Sequence, residues 1–172
     1  NFNYGQRHDV EISKAIEVCY DLGLPFKRVN IVALNSLINN SALTGDIEVP
    51  KGHYEDETMK QTVVPNRNMM LLSMAAAYAV NIGATELWYG AHSGDHAIYP
   101  DCRPEFVEAM EKVLAIANYE PIELVVPFIH GNKQTILEWG MQRELDYSKT
   151  WTCYDPQWDG LVKRLGEPKA CG

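Results

Sequence analysis

Apolar positions along this chain recur at two periods, near 3.6 and near 2, and their alternation sets an order of elements. Residues 1–4 read as the end of a strand, broken at Gly5. From Arg7 to Leu22 the apolar set Ile12, Ala15, Ile16, Cys19 and Leu22 makes the stripe of an amphipathic helix, stopped by Gly23 and Pro25. Residues 26–32 alternate like a short strand. Residues 35–64 are polar, rich in Asn, Asp and Glu, and have no period; a loop that long in a compact domain tends to be functional. Asn66 or Asn68 is placed to cap a helix running to about Ile82. That helix is apolar nearly all round, which predicts burial against a sheet. Gly83 ends it, and residues 85–90 read as a strand. Pro104 opens the next helix, where its missing N–H costs nothing, and Phe106, Ala109, Met110, Val113, Leu114 and Ala117 mark its apolar side. A strand at 122–126, a short helix from Asn132 to about Gly140 and an aromatic, turn-rich tail from Asp146 complete the order.

Short strands alternating with longer helices predict an α/β fold, a parallel sheet flanked by helices. Ligands of such sheets bind at the carboxyl ends of the strands. The densest polar clusters fall there: Tyr4-Gly-Gln-Arg-His8 after the first strand, and the stretch from Ala91 to Arg103 after Gly90.

Composition narrows the function. At 172 residues the chain fits one domain, and 46% apolar with 22% charged residues is globular rather than disordered. A net charge of −8 argues against a general nucleic-acid binder, whose affinity rests on neutralising phosphates. A small anion needs only a few local cations and stays open. No signal peptide or membrane span is visible, and four cysteines in a chain this long do not require disulfides; a reducing cytoplasm is the expected setting.

Several groupings could carry chemistry. His92-x-x-x-His96 with Asp95 and Asp101 offers metal-ligand types, but Gly94 and the position after a strand suggest a loop. There the four-residue spacing loses its helical meaning, and polar loop or substrate contacts are favoured. Cys102, beside Arg103 and a helix start, has the surroundings of a reactive thiolate, yet a lone cysteine there is more often packing. Asp101 has a simpler use as an N-terminal cap of the helix begun by Pro104. Pro65-Asn66-Arg67-Asn68 opens a helix with a cation and two amides, which suits an anion or carbonyl as well as it suits plain capping. Cys153 and Cys171 could begin a zinc site, although zinc wants four ligands. Lys133, after a strand and a Gly-Asn turn, suits phosphate.

Taken together, Tyr4-Gly-Gln-Arg-His8, Pro65-x-Arg67-Asn68, Gly90 with Asp95, Tyr99-Pro-Asp-Cys-Arg-x-Glu-Phe106, Pro127-Phe-Ile, Lys133 and Thr150-Trp-Thr-Cys-Tyr154 resemble the 7-cyano-7-deazaguanine synthases of queuosine biosynthesis. The likeness spans nearly the whole chain. Other ATP pyrophosphatases with this PP-loop fold lack the YPDCRPEF and TWTCY motifs. The resemblance implies a single nucleotide-binding domain over 1–172, adenine-nucleotide α-hydrolase-like and therefore Rossmann-like, with a zinc tail beginning in 146–172. It implies ATP-dependent ligation of ammonia to 7-carboxy-7-deazaguanine, through an adenylate and an amide, to give the nitrile. ATP, magnesium with it and structural zinc are the implied cofactors. Lys133 and Arg67 would act on the phosphates. Tyr4, Gln6, Arg7, Asn68, Gly90, Asp95, Tyr99, Asp101 and Arg103 would contact substrate, with Asp95 on the guanine-like edge. Cys153 and Cys171 would be the first two zinc cysteines, and Cys102 would pack the loop rather than attack. A homodimer is admitted; nucleic-acid and membrane partners are not expected.

Two parts of the family's pattern are absent. The Ser-Gly-Gly-x-Asp-Ser phosphate loop, expected before the first strand, has no copy, and neither have the last two zinc cysteines expected after Gly172. The expectation is a chain lacking residues at both ends. A non-catalytic deazapurine- or nucleotide-binding paralogue is the alternative, and a metal hydrolase on His92, Asp95 and His96 a third.

Overall fold

A computed structural model describes residues 1–6, 9–50, 57–157 and 168–170. These form two compact units. The first draws on the described residues within 1–52, 61–64 and 146–172, the second on those within 53–60 and 65–145.

The first unit is built on β1 (Phe2–Asn3), α1 (Val10–Asp21) and β2 (Val29–Asn30), with β1 and β2 paired in parallel, Phe2 opposite Val29 and Asn3 opposite Asn30. A parallel pair needs a crossover between its strands, and α1 is that crossover. Gly5 leaves β1 with φ +84°, and a Cβ there would lie 2.6 Å from Asn35 Nδ2, so this turn accepts only glycine. α1 ends as expected at Gly23, in the left-handed region at φ +64°. Its apolar stripe is only partly covered. Val10 and Ile12, in the first turn, are buried, while Ile16 and Leu22 further along are exposed.

The expected strand over 26–32 shrinks to two residues, since the chain turns at once into a 3-10 segment, Val32–Leu34, and α2 (Asn35–Ile38). The stretch expected as one long loop therefore holds structure, including a 3-10 segment at Glu57–Thr62. Its polar residues hid the order because they bond to backbone. Ser41 Oγ donates to Gln61 C=O at 3.2 Å, and Thr44 Oγ1 donates to Ile38 C=O. Ser41 and Thr62 are fully buried.

The second unit holds α3 (Arg67–Asn81), β3 (Glu86–Trp88), α4 (Pro104–Ile116), β4 (Glu123–Val125) and α5 (Lys133–Met141). β3 and β4 pair in parallel, Leu87 opposite Leu124, with α4 as their crossover. The core is one cluster: Leu72, Ala76 and Ala79 of α3, Val107, Met110 and Leu114 of α4, and Ile122 and Leu124 at β4. α3 is not buried all round as its composition suggested. It lies on one neighbouring helix and one sheet face, so a single stripe is covered while Met69, Tyr78 and Val80 stay more than 40% exposed. The parallel α/β character expected from the sequence is present, among the described residues as two two-stranded sheets, one in each unit.

Candidate active site

In the second unit, the chain leaving β3 builds the polar centre. Gly90 is exposed, and a Cβ there would meet nothing within 4 Å, so the backbone at the strand's carboxyl end stands open. From Ala91 the loop turns back on itself. A 3-10 turn at Ser93–Asp95 is followed by a second at Pro100–Cys102, which runs into α4. Asp95 C=O accepts the backbone N–H groups of Ile98 and Tyr99, at 3.2 and 2.9 Å. Arg103 Nε donates to His96 C=O at 2.8 Å, which ties the far side of the loop. Tyr99 is buried, and the Asp95 carboxylate is 19% exposed.

Two anchors fix this loop. Ser93 donates both its backbone N–H and its hydroxyl to Gly131 C=O, each at 2.6 Å, joining the loop to the turn before α5. That turn ends in a capping box. Asn132 Oδ1 accepts the Thr135 N–H at 3.0 Å, and Thr135 Oγ1 accepts the Asn132 N–H at 3.2 Å. Lys133, exposed, is therefore the first residue of a well-held helix.

The second anchor joins the loop to the start of α3. Asp101 Oδ2 accepts the Asn68 backbone N–H at 3.1 Å, and Asn68 Nδ2 contacts Cys102 Sγ at 3.7 Å. Tyr89 donates its hydroxyl to Asp101 C=O at 2.9 Å and lies 3.4 Å from Cys102 Sγ. Asp101 thus caps α3, not its own helix α4, whose N-cap is Arg103. Asp101 lies inside the Pro100–Cys102 3-10 turn, and its carboxylate is taken up by the Asn68 N–H. This also changes the anion reading of the α3 start, because a carboxylate already sits on that amide. Asn66, at φ +54°, makes no side-chain cap of its own. Arg67 Nε donates to Asn68 Oδ1 at 3.3 Å and is half-buried.

Burial, together with the nearby carboxylates, pushes the Cys102 thiol up to about 11. Tyr89 is raised further from its ordinary value, by burial first and then by its contact with Cys102. Both shifts favour the protonated forms, and Cys102 packs inside the loop against Asn68 and Tyr89. His92 is lowered by burial, with Asp95 opposing and the Lys133 charge adding to the drop. Among the described residues no three His, Cys, Asp or Glu side chains converge as a metal site; His92, Asp95 and His96 form no such set.

The first unit carries the other residues named from the sequence. Tyr4 is buried, and Gln6 folds back on β1: its Oε1 accepts the Tyr4 N–H at 3.1 Å and its Nε2 donates to Phe2 C=O at 3.5 Å. Arg7 lies outside the described residues, as does Cys171. Cys153 is half-buried, and its sulfur accepts the Asp155 N–H at 3.4 Å, a contact compatible with a zinc ligand. Trp151 Nε1 donates to Cys153 C=O at 2.8 Å and fixes the local turn.

The sequence therefore placed the loop after β3 correctly but missed Tyr89 and Ser93, which hold it. The period-2 pattern of β3 puts Tyr89 inward, on the side of Leu87, and that was the available signal. Ser93 had none, since its partner lies 38 residues on.

Comparison with known proteins agrees over the same span. The model of the family described as queuosine biosynthesis protein QueC matches residues 1–172. A Marinomonas protein named 7-cyano-7-deazaguanine synthase is 58% identical over 171 residues, 99% of this chain and 76% of its own length. One of the same name from Alteromonas mediterranea is 56% identical over 172 residues, with 74% of its length covered. A Colwellia psychrerythraea protein named 7-cyano-7-deazaguanine synthase 1 is 55% identical, again over 74% of its length. With a match along its whole length and identities far above what shared fold alone produces, the chain belongs to the queuosine biosynthesis protein QueC family.

Proposed function

We propose that this protein is a 7-cyano-7-deazaguanine synthase, a ligase that converts 7-carboxy-7-deazaguanine and ammonia to the nitrile at the expense of ATP. The observation that carries the reading is 58% identity, over 99% of the chain, to an enzyme of that name. A carboxylate is a poor electrophile until one oxygen becomes part of a good leaving group. Transfer of the substrate carboxylate to the α-phosphorus of ATP releases pyrophosphate and makes an acyl adenylate. Ammonia displaces AMP, which takes one carboxylate oxygen with it, and leaves the amide. A second adenylylation, on the amide oxygen, lets AMP and two protons depart to give the nitrile.

Lys133 and Arg67 are the cations proposed to stabilise charge on the phosphates in both activations. Lys133 suits this work because it is exposed at the start of α5, beside the loop that Ser93 anchors. Asp95, mostly buried yet partly accessible, is proposed to accept the N1–H and amino hydrogens of the deazaguanine. Gly90 gives the substrate close access to backbone. Asn68, Tyr99, Asp101 and Arg103 shape that wall, and Tyr4, Gln6 and Arg7 are proposed as further substrate-binding residues. The nucleotide-binding fold is proposed to be adenine-nucleotide α-hydrolase-like over 1–172. Cys153 and Cys171 would hold a structural zinc, which ties down the tail when bound. Magnesium would lower the charge on ATP. Ammonia as the nitrogen source, a cytoplasmic setting and a homodimer belong to the same proposal. Among the described residues no helix is long and apolar enough to cross a membrane.

The test separates base binding from chemistry. Asp95→Ala is expected to weaken 7-carboxy-7-deazaguanine binding, measured by calorimetry, while ATP binding stays within about twofold. Lys133→Ala is expected to lower kcat by about a hundredfold or more, as loss of a charge-stabilising group does, and to spare deazaguanine affinity. Deazaguanine failing to bind wild-type protein of intact fold would overturn the reading.

A further inference from the structure

His92 is buried beside Ser93, Gly94 and Asp95, which are only partly covered, and its ring is held on several sides. Nδ1 accepts the Gly94 backbone N–H at 3.1 Å, so the neutral imidazole carries its proton on Nε2. Nε2 lies 3.4 Å from Asp95 Oδ2. The Gly94 backbone packs on the ring, since a Cβ there would come within 3.0 Å of both Cε1 and Nδ1. Next to His92, the two Ser93 bonds to Gly131 C=O fix the backbone that carries the ring.

A buried histidine satisfied by its own turn is the plainer explanation for such a residue. It would account for Nδ1 but not for the facing of Nε2 onto a carboxylate that is itself partly exposed. A neutral N–H is also the appropriate partner for a ligand-reading aspartate. It orients the carboxylate without cancelling its charge, whereas a lysine or arginine there would compete for that charge.

We propose that His92 is the positioning residue of the base-reading wall, its Nε2–H fixing the Asp95 carboxylate in the orientation that accepts the donor edge of the deazaguanine. The proposal rests on the function above, and specifically on Asp95 as the base-reading group. Protonation of His92 would put a hydrogen on Nδ1, against the Gly94 N–H, and would spoil the arrangement. Burial and the nearby Lys133 charge both oppose that protonation; Asp95 favours it.

A double-mutant cycle on the complete enzyme tests this, with 7-carboxy-7-deazaguanine affinity and KM as readouts. His92→Asn keeps an acceptor near Nδ1 and cannot reach Asp95; His92→Gln returns an N–H near the Nε2 position. His92→Asn should weaken deazaguanine binding by about tenfold, the usual order for one hydrogen bond to a charged group. It should leave ATP affinity within about twofold, and His92→Gln should recover most of the loss. In an Asp95→Asn background, His92→Asn should add nothing. Equal losses in both backgrounds, or no loss from His92→Asn where Asp95→Asn weakens binding, would overturn the positioning role and leave the function standing. No loss from Asp95→Asn itself would overturn both the Asp95 assignment and this proposal. Nitrogen NMR of the unmutated enzyme gives a check independent of how the variants fold. The His92 ring should be the Nε2–H tautomer, with an Nε2 signal that moves when deazaguanine binds. An Nδ1–H tautomer contradicts the proposal.

Discussion

Cys102 sits against Asn68 and Tyr89 with its thiol pushed up to about 11, so at pH 8 it is almost wholly protonated as well as covered. Alkylation with iodoacetamide at that pH, followed by peptide mass spectrometry, should label the half-buried Cys19 well before Cys102. Cys102→Ala should cost about 1–2 kcal/mol of stability through lost packing and leave nitrile formation within a few-fold. His92 supplies a pH dependence whose sign follows from its lowered folded value. An exposed imidazole in the unfolded chain takes up a proton near pH 6.5, while the buried one resists. The unfolded state therefore binds more protons below that pH. The stability tied to neutral His92 is present above about pH 6.5 and is lost as pH falls through the lower folded value. Melting temperatures from pH 8 to 5 should drop more steeply for wild type than for His92→Gln. Parallel curves would mean that His92 titrates alike in both states.

At the level of elements, the joint between α3 and the loop after β3 is made by the Asp101 carboxylate and by the Asn68 contact with Cys102. Asp101→Ala leaves the Asn68 N–H without its acceptor and should cost about 1 kcal/mol, the typical worth of a helix cap. Urea unfolding should show it as a lower midpoint with an unchanged slope. Leu114, from the last turn of α4, faces the shared core, and Leu114→Ala should cost about 2–5 kcal/mol by the same measurement. The two helices also show what local pattern can and cannot reveal. α4 was legible because Pro104 starts it and Phe106, Met110, Val113 and Leu114 recur at the helical period, although the buried stripe is Val107, Met110 and Leu114 and Val113 is exposed. α3 was placed correctly, yet its cap was not, since Asp101 reaches it from 33 residues away. The order within 35–64 was hidden for a related reason: Ser41 and Thr44 are buried through bonds to backbone, and a count of polar residues reads them as loop.

Across the whole chain, strand–helix alternation and the position of the polar clusters were enough to point at the carboxyl end of β3, where Asp95 and its supports lie. The period of the side chains could not go further. Anchors such as Ser93 to Gly131 depend on which loops meet, and that is set by the crossover through α4 rather than by neighbours in sequence. The specific chemistry came from the motifs around Asp95, Tyr99, Asp101 and Arg103, and the family match over residues 1–172 supports it. The net charge of −8 fits an enzyme that acts on a small molecule.

The central claim is that ATP activates first the carboxylate and then the amide made from it, and isotope labelling tests it most directly. The complete enzyme, with zinc and magnesium, would be given ammonium, ATP and 7-carboxy-7-deazaguanine labelled with heavy oxygen at both carboxylate positions. Mass spectrometry of the products should then show the nitrile together with two AMP molecules for each nitrile, each carrying one labelled oxygen. Nitrile without label in AMP, or no nitrile from folded, metal-replete protein, would contradict the account.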